Sequence, residues 1–528
     1  MGDHFYLKQN VMIEPLFNRW YAWPYLVPPA TAAMFVANWH LKIMQSFIAS
    51  PQVHINALKN PTMFGGPFMD QPPTRAAEVK ELLETTVSEQ APMLEFAEAI
   101  KTLDAKLANE AKGFSLEPLY KEVPDALKGY VELVYDINNY PSFRFMEGLL
   151  YKSRYYDETR QSIELSLVEK DGRSFVFSTP RLREANHLQI RVPFRHEGID
   201  ELARMKYAPQ PIDRIKEILG VDGDDEALFS SFFTKEQSQV GSKPDCEGVR
   251  IRYYGHACLL IETKDVSVLV DPLISYKYDA ERFRFTYNDL PEVLDYVLIT
   301  HNHQDHCMFE TLLQLRHKIK NIIVPKSIGD GFTDPSLRLV LKQIGFNNVT
   351  EIDDMESLEV AGGTITGLPF LGEHADLYIR TKAAYIITLN GKSMLCAADS
   401  NNIEPRLYQH IHECVKDVEV VFLGMECVGA PLSWLYGPLL TKPISRKMDQ
   451  TRRFDGSNCE KGMRLVDQLK AKQVYIYAMG HEPWLTYLTS INFTSESPQI
   501  VESNKLIEEC KKKGLVSERL LYYKEIFL

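Results

Sequence analysis

No stretch of this sequence stays apolar for the roughly 20 residues that a membrane-crossing helix requires. The first ten residues, MGDHFYLKQN, lack the basic start and apolar run of a secretory signal. Tyr at position 6 breaks the N-myristoylation pattern. Positive charge is in the minority, with 59 Lys and Arg against 71 Asp and Glu, a formal net charge of -12. No basic excess is available to neutralise a phosphate backbone, so nucleic acid is not an expected partner, although a local basic patch is not excluded. Cysteine is sparse, 8 in 528 residues, and no two form a C-x-x-C pair. That pattern reads as reduced thiols in a cytoplasmic chain. Cys258 and Cys396 lie inside apolar runs, where they act as small hydrophobes. Internal repeats and low-complexity blocks are also missing.

What remains has the make-up of a soluble globular protein, 45% hydrophobic and 25% charged. A length of 528 residues suits two domains. The polar, Gly- and Pro-containing stretch 234–248 (TKEQSQVGSKPDCEG) marks the expected boundary, giving domains 1–245 and 246–528. The first is rich in aromatics. It carries helical periodicity over 76–107, an expected hairpin over 161–177 turning at Asp171-Gly172, and short helices at 199–206 and 213–219. The second alternates apolar strands (251–263, 266–272, 296–300, 321–324, 364–369, 384–389, 393–398, 418–424, 473–479) with helices at 308–319 and 336–344. Strands of this fully apolar kind, interleaved with helices, predict an α/β layered sandwich preceded by an α+β domain.

The strand at 296–300 runs directly into His301-Asn302-His303-Gln304-Asp305-His306. Packing has no use for three imidazoles and a carboxylate in six residues. Two His two positions apart aim at one ion from a strand-end loop, and Asp305 with His306 aims at a second. This is the HxHxDH signature, and the C-terminal half resembles the metallo-β-lactamase αββα sandwich. That resemblance implies further ligands at later strand ends, with Asp399 as a bridging carboxylate and His481 as the last ligand of the second ion. For the remaining first-ion position, either Glu373 or His374 in GLPFLGEHAD is placed to bind. Adjacent side chains point to opposite faces, so one of the two is expected, not both. Asp271 and His256 are candidates to orient the imidazoles by hydrogen bonds, or to cap strand ends.

With Glu373, Glu426 and the two-domain layout in view, the whole chain resembles the di-iron β-hydroxylases typified by the enzyme of chloramphenicol biosynthesis. In that branch a Glu replaces the usual His of the first ion. The resemblance implies His301, His303 and Glu373 on the first iron, Asp305, His306 and His481 on the second, Asp399 between them, and Glu426 beside or on the irons. Glu373, Asp399 and Glu426 would be the catalytic carboxylates. A carboxylate-rich, sulfur-free set suits iron. The implied cofactor is an oxo- or hydroxo-bridged pair of Fe ions, with O₂ as co-substrate. The implied reaction is β-hydroxylation of an amino acid held as a phosphopantetheine thioester on a nonribosomal peptide synthetase carrier domain. Electrons would come from an external reductase or ferredoxin, since no flavin or ferredoxin motif is present. The N-terminal domain would serve dimerisation and substrate approach. Carrier domains are typically acidic, so a locally basic patch is expected: Arg181, Arg183, Arg191 and Arg195 form one candidate, and Arg446, Lys447, Arg452 and Arg453 another. The competing reading is a dinuclear zinc hydrolase of the same fold, with His374 in place of Glu373. A non-catalytic binding protein is a third, which a seven-ligand set argues against. A flavin di-iron electron carrier would need HxExDH and a flavodoxin domain, and both are absent.

Overall fold

The computed structural model describes residues 4–237, 241–244 and 247–528, with only the backbone of residue 62. The expected boundary at 245/246 lies outside the described residues.

The C-terminal half is built on two seven-stranded sheets. In the first, the order is Val349–Ile352, Ile319–Pro325, Leu294–Leu298, Ser267–Val270, Cys258–Glu262, Arg250–Gly255 and Lys524–Phe527. In the second it is Ser357–Val360, Gly363–Leu368, Ala384–Leu389, Lys392–Cys396, Val420–Gly424, Gln473–Tyr477 and Val516–Arg519. Side chains alternate along each strand, so each sheet feeds two cores. Leu259, Ile261, Val268, Val270, Leu298 and Ile323 meet Ile365, Tyr385, Ile387, Cys396, Phe422 and Tyr477 in the space between the sheets. On the far side of the second sheet, Ile386, Leu395, Val421, Leu423 and Ile476 pack under the helices Arg406–Val415, Cys459–Leu469 and Pro498–Lys512. The layered sandwich read from the apolar strands is therefore the observed one.

The far side of the first sheet faces the N-terminal domain. Cys258, Leu260, Leu269, Val297 and Ile322 share one continuous cluster with Trp20, Trp23, Tyr25, Phe47, Phe96 and Ile100. That domain centres on a four-stranded sheet ordered Trp20–Tyr21, Val11–Phe17, Gln161–Leu167 and Leu188–Ile190. The periodic stretch 76–107 is two helices, Ala76–Glu89 and Ala91–Glu110, separated at Gln90. The expected hairpin over 161–177 does not form. Gln161–Leu167 pairs with Val11–Phe17 and Leu188–Ile190 instead. The segment after Gly172 is drawn away by Arg173, which reaches the buried Glu14 and Glu310.

This ionic cluster joins the halves of the molecule. Glu14, on the strand Val11–Phe17, accepts from Arg181 Nε at 2.6 Å and from Arg173. Arg173 also grips Glu310 at 2.9 and 3.0 Å, in the helix Phe309–Leu315 that follows the His-rich run. Burial alone would raise the Glu14 carboxyl, but Arg181 and Arg173 outweigh it and hold it at about 2, against an ordinary 4.5. The folded value is the depressed one. The Glu14 charge therefore stabilises the fold above pH 4.5 and ceases to do so as pH falls through about 2. Glu14→Gln should flatten the acid limb of the stability curve between those values, read by chemical denaturation across pH. Arg173→Met leaves Glu310 one cation short and should cost about 3 kcal/mol at neutral pH.

Candidate metal centre

The His-rich run is positioned by a single carboxylate. Asp271 ends the strand Ser267–Val270, has φ 41°, and is fully buried. Its Oδ1 accepts Thr300 N–H at 2.7 Å. Its Oδ2 accepts the Thr300 hydroxyl at 2.6 Å and lies 2.7 Å from His306 Nδ1. A carboxylate at Nδ1 leaves Nε2 as the free lone pair of that ring. His306 Nε2 lies 3.0 Å from Asp399 Oδ2. Burial opposes charge on His306, yet Asp399 and Asp271 together pull its proton affinity far above the usual imidazole range. Two carboxylates thus create a place for a cation at this ring.

Three groups of potential ligands converge, the members of each having ligand atoms within 4.8 Å of one another. They are His301, His303 and Glu373; His301, His306 and Asp399; and His256, Asp305 and His306. His303 Nδ1 is 2.8 Å from Glu373 Oε1, while its Nε2 meets the Tyr436 hydroxyl at 3.0 Å. His301 Nε2 lies 3.8 Å from Glu373 and 3.9 Å from Asp399. Burial first, then the neighbouring imidazoles His306, His303 and His374, keeps His301 neutral by lowering its proton affinity well below normal. His303 falls to about 4, chiefly by burial. Neutral rings are the ligating form. The Glu373 carboxyl rises to about 7, again from burial. Asp305 is held far below the carboxylate range, because His256, His306 and His303 outweigh its desolvation. Glu426 is driven far upward by desolvation and by the charges of Asp399, Asp305 and Glu373. Asp399 can sit against the strand Val420–Gly424 only because position 424 has no side chain: a Cβ there would be 2.9 Å from Asp399 Oδ1.

Glu373 and His374 are both buried, and both reach the cluster. Glu373 has φ 65° and faces His303, and the His374 ring stacks on His303 with centroids 4.6 Å apart. His374 Nδ1 approaches Glu373 Oε2 at 2.7 Å. The opposite-face argument fails here because this segment is a loop with left-handed residues, not a strand. His481 lies outside the three groups. Its neighbour Glu482 is the one turned inward, accepting His256 N–H at 2.8 Å and the Tyr253 hydroxyl. His481 instead borders a cavity of about 830 Å³. Beside Asp305 stands His256, its Nε2 3.3 Å from the carboxylate. His256 was legible only as an orienting residue, since one His in Tyr-Gly-His-Ala carries no spacing signal. Tyr436, buried against His303, carried no signal at all.

The donor set suits a pair of metal ions. His301 Nε2 and Asp399 Oδ1 are buried without a hydrogen-bond partner among the described residues, inside a shell of imidazoles and carboxylates. Nearby Cys307 and Cys396 are thiols, pushed up by burial, so no thiolate competes. Oxygen and nitrogen donors without sulfur fit iron or manganese.

Residues 6–237 match the family described as diiron non-heme beta-hydroxylase N-terminal domain, and residues 250–402 match a beta-lactamase superfamily domain. The chain is similar to the 4-amino-L-phenylalanyl-[CmlP-peptidyl-carrier-protein] 3-hydroxylase of Streptomyces venezuelae, with 39% identity over 97% of this chain and 98% of that one. It is also similar to the crystal structure of CmlA, a diiron beta-hydroxylase from Streptomyces venezuelae, with a TM-score of 0.94 and 38% identity over 100% of both chains. A mutant of the same enzyme gives a TM-score of 0.92 and 38% identity over 99% of this chain and 100% of that one.

Asp271→Asn should keep the fold but release metal about 10–100-fold more readily, because it loses the anchor of the His306 tautomer. Metal retained per chain after graded chelator treatment is the measurement.

Proposed function

The chain belongs to the diiron non-heme beta-hydroxylases, and from that premise we propose that it uses O₂ and two iron ions to β-hydroxylate an amino acid held as a thioester on a carrier domain. The observation that carries this reading is Glu373, a carboxylate 2.8 Å from His303 at the position where a zinc hydrolase of this fold would use an imidazole. On this reading His301, His303 and Glu373 hold one iron and Asp305 and His306 the other, with Asp399 shared. His256 and His481 compete for the remaining place beside Asp305. The bound pair would supply the oxygen-activating redox chemistry that no side chain can. The protein's own contributions are different. Asp271 and Tyr436 fix ring orientation, and the apolar shell of Phe370, Phe454 and Tyr436 excludes water. Glu426, with its raised proton affinity, can hold a proton beside Asp399.

Substrate access is supported by the cavity at His481. Its wall includes Phe64 from the N-terminal domain and Ile491, Phe493, Asn504 and Arg519 from the C-terminal one. Arg519 donates to Ser503 and Asn504 and makes no ion pair among the described residues, leaving its charge for an incoming polar group. For the acidic carrier, exposed charges remain on both runs, Arg183 and Arg191 on the first and Arg446 and Lys447 on the helix Arg446–Thr451. Several others on the two basic runs are committed internally. Arg181 pairs with Glu14, Arg195 with Glu158, Arg452 with the Ala375 carbonyl, and Arg453 with Gln450. Electrons from an external reductase or ferredoxin, a homodimer and a cytoplasmic location complete the proposal. Among the described residues no helix is long and apolar enough to cross a membrane.

Protein purified from metal-balanced medium should carry two irons per chain, with oxo-bridged ferric absorption. Two zincs, no iron and hydrolytic turnover would overturn the reading. Glu373→Ala should lose one metal and His374→Ala should keep both; the reverse pattern would transfer the ligand role to His374. With reductant and an aminoacyl-loaded carrier, mass spectrometry should show one oxygen atom added to the tethered amino acid. Arg446→Glu with Lys447→Glu should raise the KM for carrier about tenfold while leaving the iron count unchanged.

A further inference from the structure

After the strand Val420–Gly424 the chain makes a long excursion and returns beside its own starting point. Gly456 N–H donates to Glu426 O at 2.8 Å, Phe454 N–H to Ala430 O at 2.9 Å, and Leu432 N–H to Arg452 O at 2.8 Å. Pro431 and Arg453 are bridged across the same two legs. The base of this excursion lies at the centre, at Glu426, and three of its side chains reach back to the first ligand group. Tyr436 hydrogen-bonds His303 Nε2, and the Phe454 ring packs 5.5 Å from the His303 ring. Arg452 Nε donates to the carbonyl of Ala375 at 2.9 Å.

That carbonyl belongs to the loop that carries Glu373. In it Glu373, Ala375 and Asp376 have φ of 65°, 51° and 58°, all in the left-handed region that side chains other than glycine disfavour. Such a backbone persists only where its surroundings over-determine it. The loop's near edge is tied where Lys382 Nζ donates to Gly372 O at 3.0 Å and Asn401 N–H to Leu371 O at 2.8 Å. At the far edge the Asp334 carboxylate accepts Arg380 N–H at 2.9 Å and Thr381 N–H at 3.1 Å; between those edges, among the described residues, the side-chain tie to the loop's backbone is Arg452.

We propose that Arg452 is a positioning residue for the Glu373 carboxylate, acting through the Ala375 carbonyl, so that one excursion of the chain, residues 426–456, sets the aim of both His303 and Glu373. The inference rests on the reading that Glu373 is a metal ligand. Its chemistry singles out one atom, the Nε donor, and a matched pair of substitutions isolates it. Glutamine carries an amide nitrogen the same number of bonds from Cα as Arg Nε, and methionine carries a methyl group there.

The experiment is iron release into a chelator, followed at fixed pH together with the visible absorption of the oxidised centre. Arg452→Met should lose one of its two irons at least tenfold faster than the unaltered protein, with shifted absorption and an unchanged far-UV spectrum. Arg452→Gln should restore slow release. Arg453→Met, which removes the neighbouring side chain that donates to Gln450 and lies 3.9 Å from Asp455 without touching the Glu373 loop, should behave as the unaltered protein. Equal release from the Met and Gln variants, or release from the Met variant at the unaltered rate, overturns the proposal. If Arg452→Met does not accumulate folded, Arg452→Leu takes its place in the same comparison. Glu373→Ala separates the two levels. If it keeps both irons, the ligand reading fails; if it loses one while Arg452→Met loses none, only the positioning role fails.

Discussion

A carboxylate with no exposure to water organises this molecule's chemistry. Asp271 meets Thr300 N–H, the Thr300 hydroxyl and His306 Nδ1 together, and burying a polar side chain so completely is tolerable only because all those partners are supplied. One side chain therefore sets where the strand Leu294–Leu298 gives way to the His-rich run and which nitrogen of His306 looks into the centre. The convergence of His301, His306 and Asp399 follows from that turn.

Much of this was legible from sequence, for a physical reason. Strands buried on both faces leave continuous apolar runs, and imidazoles and carboxylates at strand ends interrupt them abruptly, so the converging groups at His301–His306 and Asp399 announce themselves. Glu373 and His374 did not resolve in the same way. The argument for choosing between them assumed an extended backbone, whereas Glu373, Ala375 and Asp376 adopt left-handed conformations that bring both side chains inward. His481 illustrates the same limit. Its neighbour Glu482 is turned in by Tyr253 and His256, partners more than two hundred residues distant that no local pattern reveals. The missing 161–177 hairpin is of this kind too. Alternation and an Asp-Gly turn were present, but long-range pairing with Val11–Phe17 and the pull of Glu14 and Glu310 on Arg173 prevailed.

Charge is managed by the same economy throughout. Glu14, Arg173, Arg181 and Glu310 neutralise one another at the junction of the two halves. At the centre, by contrast, carboxylates and imidazoles are gathered without an arginine ion pair among the described residues, and burial makes Glu426 and Glu373 hold protons more tightly. The contrast distinguishes a region built to stay closed from one built to accept positive charge. It also explains why basic side chains that look available in sequence, Arg181 and Arg452 among them, are engaged within the fold.

The strand residues that alternate between two cores have a consequence for both halves of the chain. Cys258, Leu260, Leu269 and Val297 are covered by side chains of the N-terminal domain, in the same apolar cluster as Trp23 and Phe96. A C-terminal half separated from its companion would present that strip to water and would tend to self-associate. Each half therefore completes part of the other's core. A change of volume at one of these strand positions is felt by side chains of the other half, which share its packing.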